Sequence, residues 1–205
     1  RVLRLLAEGP PRTPAEIAAE AGTGSGVIKG LVGARILLRT DLPPAPAFEI
    51  PDWAAPGPKL SPDQQSAADA ISADVKSGGF RVSVIEGVPG SGKTEVYLEA
   101  VAAALEQGKQ ALVMLPEIAL SAQWLQRFRT RFGVPPAVWH SDLTGVQRRN
   151  TWRAVANGQA RVVVGARSSL FLPFPDLGVI AVDEEHDQSF KQDEGVIYNA
   201  RDMAV

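Results

Sequence analysis

The sequence predicts an α/β protein: a parallel sheet covered by helices, preceded by a small helical domain. Three observations predict it. From residue 60 to 205, short apolar runs alternate with segments of helical period, the pattern of strands joined by crossover helices. Between residues 42 and 59, Pro43, Pro44, Pro46, Pro51, Pro56 and Pro58 make a continuous helix or strand implausible and mark a semi-extended linker. Residues 1–41 hold short apolar stretches at helical spacing, broken by Gly and Pro. The expected division is therefore 1–41, 42–59 and 60–205.

In the first region the run Val2, Leu3, Leu5, Leu6 ends at Gly9-Pro10-Pro11. Thr13 makes an N-cap, with Pro14 at the first helical position and Glu16 three residues after the cap. Ile17, Ala18 and Ala21 give that helix a core face, and Gly22 stops it. A third helix carries Val27, Ile28, Leu31 and Val32. Ile36-Leu37-Leu38-Arg39 reads as a short strand, which completes the outline of a winged helix-turn-helix. Residues 1–50 hold six Lys/Arg against five Asp/Glu, and Lys29 is the third helix's only cation. A DNA-reading helix usually brings more positive charge, so DNA contact and protein contact both stay open for this region.

In the third region Ser61-Pro62 opens a helix to residue 77, ended by Gly78-Gly79. Residues 82–86 are expected as a buried strand and 92–107 as a helix. Strands follow at 111–115, 137–140, 161–165 and 179–182. Helices lie between them at 121–132, with Trp124, Leu125 and Phe128 on one face, and at 144–157.

Composition narrows the function classes. Hydrophobic residues are 45% and charged residues 21% of the 205, an ordinary balance for a globular protein. No apolar run reaches the roughly 18 residues that span a bilayer, so a membrane partner is not expected. With no Cys, the chain can build neither a disulfide nor a Cys-based zinc site, which fits a cytoplasmic protein. The net charge of −2 leaves no global basic footprint, so any nucleic-acid contact must be local. A chain that begins at Arg1 rather than Met is expected to be a piece of a longer protein.

The strongest chemical signal is Gly87-Val88-Pro89-Gly90-Ser91-Gly92-Lys93-Thr94, which fits G-x-x-x-x-G-K-[ST] in full. The glycines let backbone N–H groups turn toward phosphate oxygens, and the helix that follows presents its positive end. Lys93 is expected on the β- and γ-phosphates and Thr94 on Mg²⁺. Gly87, Gly90, Ser91 and Gly92 complete the cradle. A P-loop also needs a metal-side carboxylate at the end of a neighbouring strand. Val179-Ile180-Ala181-Val182-Asp183-Glu184-Glu185-His186 supplies it, where open α/β sheets bind ligands. Asp183 would face Mg²⁺, Glu184 would polarise the attacking water, and Glu185 stays open between spacer and functional residue. The set describes a RecA-like P-loop lobe that takes ATP or ADP with Mg²⁺.

The acid cluster ending in His186 resembles the box of superfamily 2 helicases, in which the His links nucleotide state to a second motor lobe. Further stretches resemble the PriA-type primosomal helicases, which restart stalled bacterial replication forks. Leu60-Ser61-Pro62-Asp63-Gln64 resembles their adenine-reading Gln motif, which implies Gln64 at the nucleotide. Their P-loop is similar to GVPGSGKTEVY, with Pro89 where Thr is usual. Leu115-Pro116-Glu117-Ile118-Ala119-Leu120 resembles motif Ia. Gly165-Ala166-Arg167-Ser168-Ser169-Leu170-Phe171 resembles motif Ib, with Ala166 where Thr is usual. Both motifs imply contact with single-stranded DNA, through Arg167 and Ser168 among others. Residues 187–202 resemble the family's aromatic-rich loop, which senses DNA. That implies Phe190, Lys191 and Tyr198 at the strand, although Val196 replaces a common aromatic and Asn199 a common His.

The resemblance implies an ATP-dependent DNA helicase acting on branched and single-stranded DNA. It also implies primosome proteins and single-strand binding protein as partners of the parent, in the cytoplasm at the nucleoid. The family's fork-binding domain, zinc module, second motor lobe and C-terminal domain are expected outside this chain, with zinc bound only there. This piece alone is then expected to show little turnover. A repair or restriction translocase would share the P-loop and acid box but not the tail from 187 to 202. A regulatory P-loop module would need a basic reading helix.

Overall fold

The structure is a computed structural model and describes residues 1–7, 12–39, 48–116, 121–193 and 195–205. Residues 9–11, 42–47 and 117–120 lie outside them, so the expectations for Gly9-Pro10-Pro11, the start of the linker and most of the motif Ia stretch do too. The chain divides into two compact units: Arg1–Ala47 with Thr144–Gln147, and Phe48–Leu143 with Arg148–Val205.

The first unit contains α1 (Val2–Ala7), α2 (Pro14–Ala21) and α3 (Ser25–Gly33). Thr13 and Glu16 cap α2 reciprocally, and the chain leaves it through Gly22. Val2, Ile17, Ala21 and Ile28 form a small core. The strand expected at residues 36–39 does not form. Instead α3 ends in a tight turn, with Ile36 N–H and Leu37 N–H both donating to Leu31 O. The turn folds Leu37 onto the small core and leaves Leu38 84% exposed, with no neighbouring strand to pair it. The unit is a three-helix cluster without the wing strand among the described residues.

The second unit is the α/β lobe. Its elements are α4 (Pro62–Ser77), α5 (Lys93–Glu106), β1 (Gln110–Met114), α6 (Ala122–Phe132), β2 (Ala137–Trp139), α7 (Gly145–Ala156, from Arg148 on), β3 (Val162–Gly165) and β4 (Leu177–Val182). A small antiparallel pair, β5 (Lys191–Gln192) and β6 (Tyr198–Asn199), leads into α8 (Ala200–Ala204). The four main strands are parallel in the order β2-β3-β1-β4. Side chains alternate across this sheet. Ala111, Val113, Val162 and Val164 face a core with Leu98, Val101, Trp124, Phe128 and Phe132 of α5 and α6. Leu112, Met114 and Val163 face a second core with Ala154, Val155, Leu172, Phe190 and Ala200. Both faces are therefore covered, as the alternating pattern predicts.

Two expectations change here. Residues 82–86 do not join the sheet. Val82 is 57% and Val84 87% exposed, and within this run Ile85 packs against the core. β4 takes β1 on one edge and stays half-buried along its whole length. An apolar run signals strand-forming capacity, but a ladder also needs a neighbour whose N–H and C=O groups are aligned with it. Residues 48–59 are also not a free linker. Phe48 packs against the second core, Asp52 N–H donates to Phe132 O, and the buried Arg131 guanidinium reaches Ala55 O and Glu99. Prolines bar regular structure there without preventing docking.

The end of β3 packs too closely for a side chain. A Cβ on Gly165 would collide with Trp139 O and meet Ser169 Cβ at 2.9 Å. Gly165→Ala is expected to cost about 1–3 kcal/mol by overpacking. A fall in the urea midpoint at unchanged slope is the measurement that checks it.

Candidate active site

The cradle sits at the start of α5. Ser91 N–H donates to Val88 O at 3.1 Å, closing the loop into a turn. Gly92 is the N-cap of α5 at φ +82, a conformation that L side chains rarely adopt. A Cβ there would also lie 2.5 Å from the Gln64 amide nitrogen. Lys93 Nζ donates to Gly87 O at 2.8 Å and to Val88 O at 3.4 Å, so the ammonium lies over the loop.

Gln64 is the N3 residue of α4. Its Oε1 accepts from Ser61 N–H at 2.8 Å, and its Nε2 donates to Ser91 O at 2.7 Å. A residue expected to read a base therefore also braces the phosphate loop from α4.

The acid cluster begins where β4 ends. Asp183 N–H donates to Met114 O at 3.0 Å, which carries the β1–β4 ladder to the carboxylate itself. One carboxylate oxygen accepts from Glu184 N–H at 3.0 Å, and the other from the Tyr97 hydroxyl at 2.9 Å. Glu184 has φ +50, unusual for a non-glycine, and stands exposed. Its Oε2 lies 3.6 Å from His186 Nε2. Glu185 takes Arg201 in an ion pair at 2.8 Å, which occupies both.

Tyr97 was not singled out by the sequence. It is the fifth residue after Gly92, in the helix fed by the P-loop, and it is 6% exposed. Its hydroxyl accepts from Trp124 Nε1 at 2.8 Å and donates to Asp183. The Thr94 side chain lies close to the same oxygen. Burial, and then the adjacent Asp183 carboxylate, push the phenol far above the ordinary tyrosine value. Thr94 and Asp183, both expected at Mg²⁺, thus converge on one hydroxyl. A hard cation takes such an oxygen pair while keeping several waters, so the residues present fit a Mg²⁺–nucleotide.

The residues expected at DNA divide. Ser168 is exposed, and its Oγ accepts from Trp139 Nε1 at 3.2 Å. Arg167 Nη1 donates to Lys191 O at 2.6 Å and to Ser189 O at 3.4 Å, tying the motif Ib turn to β5. Lys191 is exposed beside Asp193 at 3.0 Å. Tyr198 is half-buried, edge-on to Phe171 at 5.3 Å. Phe190 is different: at 1% exposure it belongs to the core beneath the sheet. Its burial favours packing over base stacking. Asp187 starts the turn that buries it, accepting from Ser189 N–H at 2.8 Å, a bond that holds its carboxyl below the usual Asp value.

A parallel sheet with its acids at the strand ends, beside a glycine-capped helix, places the lobe in the P-loop nucleotide-binding class. Within that class the DEAD/DEAH box helicase family matches residues 61–204, and the chain belongs to it. Similar proteins include the "Replication restart protein PriA" of Rickettsia felis, 49% identical over 72% of this chain and 22% of that protein. The same-named protein of Bacillus subtilis is 42% identical over 71% of this chain and 18% of its own length. The chain thus spans about a fifth of these relatives. Among solved structures, "Structure of RecG bound to three-way DNA junction" is similar over 86% of this chain and 22% of that one. Its TM-score is 0.57 at 22% identity, a likeness of fold.

Two outcomes follow from this geometry. Lys93→Ala is expected to abolish measurable ADP binding by calorimetry while leaving the circular dichroism spectrum unchanged, because the side chain bonds only to a surface loop. Phe190→Ala is expected to lower stability by about 3–5 kcal/mol, as for a buried ring. A thermal melt unchanged from wild type would return Phe190 to the surface role.

Proposed function

We propose that this chain is the ATP-binding motor lobe of a DNA helicase that restarts replication at stalled or branched forks. The observation that carries this reading is the bond from Tyr97, on the helix that carries Lys93 and Thr94, to Asp183 at the end of β4, in a chain 49% identical to a replication restart protein over most of its length. Lys93 neutralises phosphate charge, Thr94 and Asp183 face the cation, and Glu184 orients the attacking water. A Mg²⁺ held by Thr94 and Asp183 would supply charge neutralisation at the phosphates. Gln64 aligns the adenine end while bracing the loop. His186, paired with Glu184, reports nucleotide state to a second motor lobe. Arg167, Ser168, Lys191 and Tyr198 contact a single DNA strand, with Phe190 as the packed anchor of that segment.

In the same reading residues 1–41 are a separate helical domain that contacts DNA or protein. The parent carries zinc outside this chain and meets primosome proteins and single-strand binding protein in the cytoplasm. No helix among the described residues is long and apolar enough to cross a membrane.

Two measurements test the reading. In a polypeptide of the relatives' length containing this chain, ATP hydrolysis should rise with forked DNA whatever its sequence. A rate indifferent to DNA, or a footprint on one sequence, would overturn it. The 205-residue piece alone should turn over negligibly, since an Arg finger from a second lobe is typically worth about 10³–10⁵ in rate. Robust DNA-stimulated turnover by the piece would show the catalytic set complete without that lobe.

A further inference from the structure

The Tyr97 hydroxyl is a three-way junction. A phenol has one proton to donate and two lone pairs with which to accept. Here the proton goes to Asp183 Oδ2 at 2.9 Å, and the Trp124 indole N–H enters one lone pair at 2.8 Å. The Thr94 side chain, one turn before Tyr97 on α5, lies close to the same hydroxyl. Tyr97 and Trp124 are 6% and 7% exposed, so water does not compete freely for these bonds. The packing freezes the ring as well: Tyr97 lies in the core shared by α5, α6 and the sheet, and Trp124 stacks on Phe128 at 5.7 Å between centroids. Nothing in the P-loop pattern or the acid box calls for a hydroxyl at this place.

We propose that Tyr97 is a positioning residue for the metal: held by the Trp124 indole, its hydroxyl orients the Asp183 carboxylate and the Thr94 hydroxyl toward the Mg²⁺ of bound nucleotide. The inference rests on the reading of Lys93, Thr94 and Asp183 as a Mg²⁺–nucleotide site and deepens it. Asp183 has its Oδ1 fixed by the Glu184 N–H and its Oδ2 fixed by Tyr97, so the plane of the carboxylate is set from both sides. Trp124 stands on α6, whose Ser121 N-cap directly follows residues 117–120 of the motif Ia stretch. A shift of α6 would therefore move the donor that holds Tyr97, and metal affinity would follow the seat of that helix.

Tyr97→Phe keeps the ring and removes the hydroxyl, and Trp124→Phe keeps an aromatic and removes the indole N–H. ADP binding to this chain would be measured by calorimetry with excess Mg²⁺ and again with EDTA, alongside a thermal melt of each variant. Wild type should bind ADP more tightly with Mg²⁺. Tyr97→Phe should keep the EDTA affinity and lose about tenfold of the Mg²⁺ increment, the size of one hydrogen bond to a charged group. Trp124→Phe should lose part of the same increment, and it carries the test if Tyr97→Phe does not fold. An increment equal to wild type in a folded variant would overturn the inference and leave Tyr97 a core residue. Wild-type ADP binding without any Mg²⁺ increment would overturn it too while the nucleotide site stands. No ADP binding by wild type under either condition would overturn both.

Discussion

The lobe depends on one constraint, the burial of β1. A parallel strand at the middle of a sheet must find ladder partners on both edges and apolar cover on both faces. Gln110 to Met114 meet all four demands, each no more than 1% exposed, with β3 on one edge and β4 on the other. The chain reaches β3 from β1 by way of α6, β2 and α7, and comes to the opposite edge only with β4. The connections thus part company beside β1, and the crevice at its carboxyl end is where such a sheet receives a ligand. Met114 O accepting from Asp183 N–H puts the acid cluster at that crevice as a consequence of the ladder. Trp124 and Tyr97 bear on the same sheet face as Ala111 and Val113. The core that buries β1 is thereby also the core that aims the carboxylate.

Local signals were legible wherever they close within a few residues. The cap Thr13/Glu16 involves residues three apart and forms as the sequence reads, and the helix expected from Ser61-Pro62 starts there, with Ser61 and Gln64 as its capping box. The strands at β1, β2, β3 and β4 and the helices between them fall within a few residues of expectation, because apolar runs and turn residues are local signals too. Expectation failed where the outcome depends on a distant neighbour. Residues 82–86 have the composition of a buried strand but no ladder partner among the described residues. Ile36 to Leu38 have it too, yet the close of α3 captures them first.

The candidate site shows the same split. Lys93 and Asp183 could be named from two short patterns. That Tyr97 joins the P-loop helix to Asp183 could not be read from either, since this bond joins positions 86 apart. Gln64 was visible as a member of a motif, but its bond to Ser91 O crosses 27 residues and gives it a second, mechanical part. Phe190 misleads in the opposite direction. Its segment resembles an aromatic-rich loop that meets DNA, but the 3₁₀ turn begun by Asp187 swings the ring inward. Composition averages over a segment, whereas burial is decided residue by residue.

Phe190's burial changes how the acid cluster can be linked to the tail. A loop free at both ends would transmit little, because its own flexibility would absorb a displacement. Here the segment from Asp183 to Phe190 is fixed at each end, by Met114 O and by the core under the sheet. Between them the backbone turns through Glu184 at φ +50, and Asp187 N–H returns to Glu184 O at 2.8 Å. Positive φ at a non-glycine typically costs on the order of 1–3 kcal/mol and persists only where its surroundings hold it. Arg167 grips the far side of the same segment through Ser189 O and Lys191 O. The motif Ib turn and Glu184 are thus joined by a short span anchored at both ends.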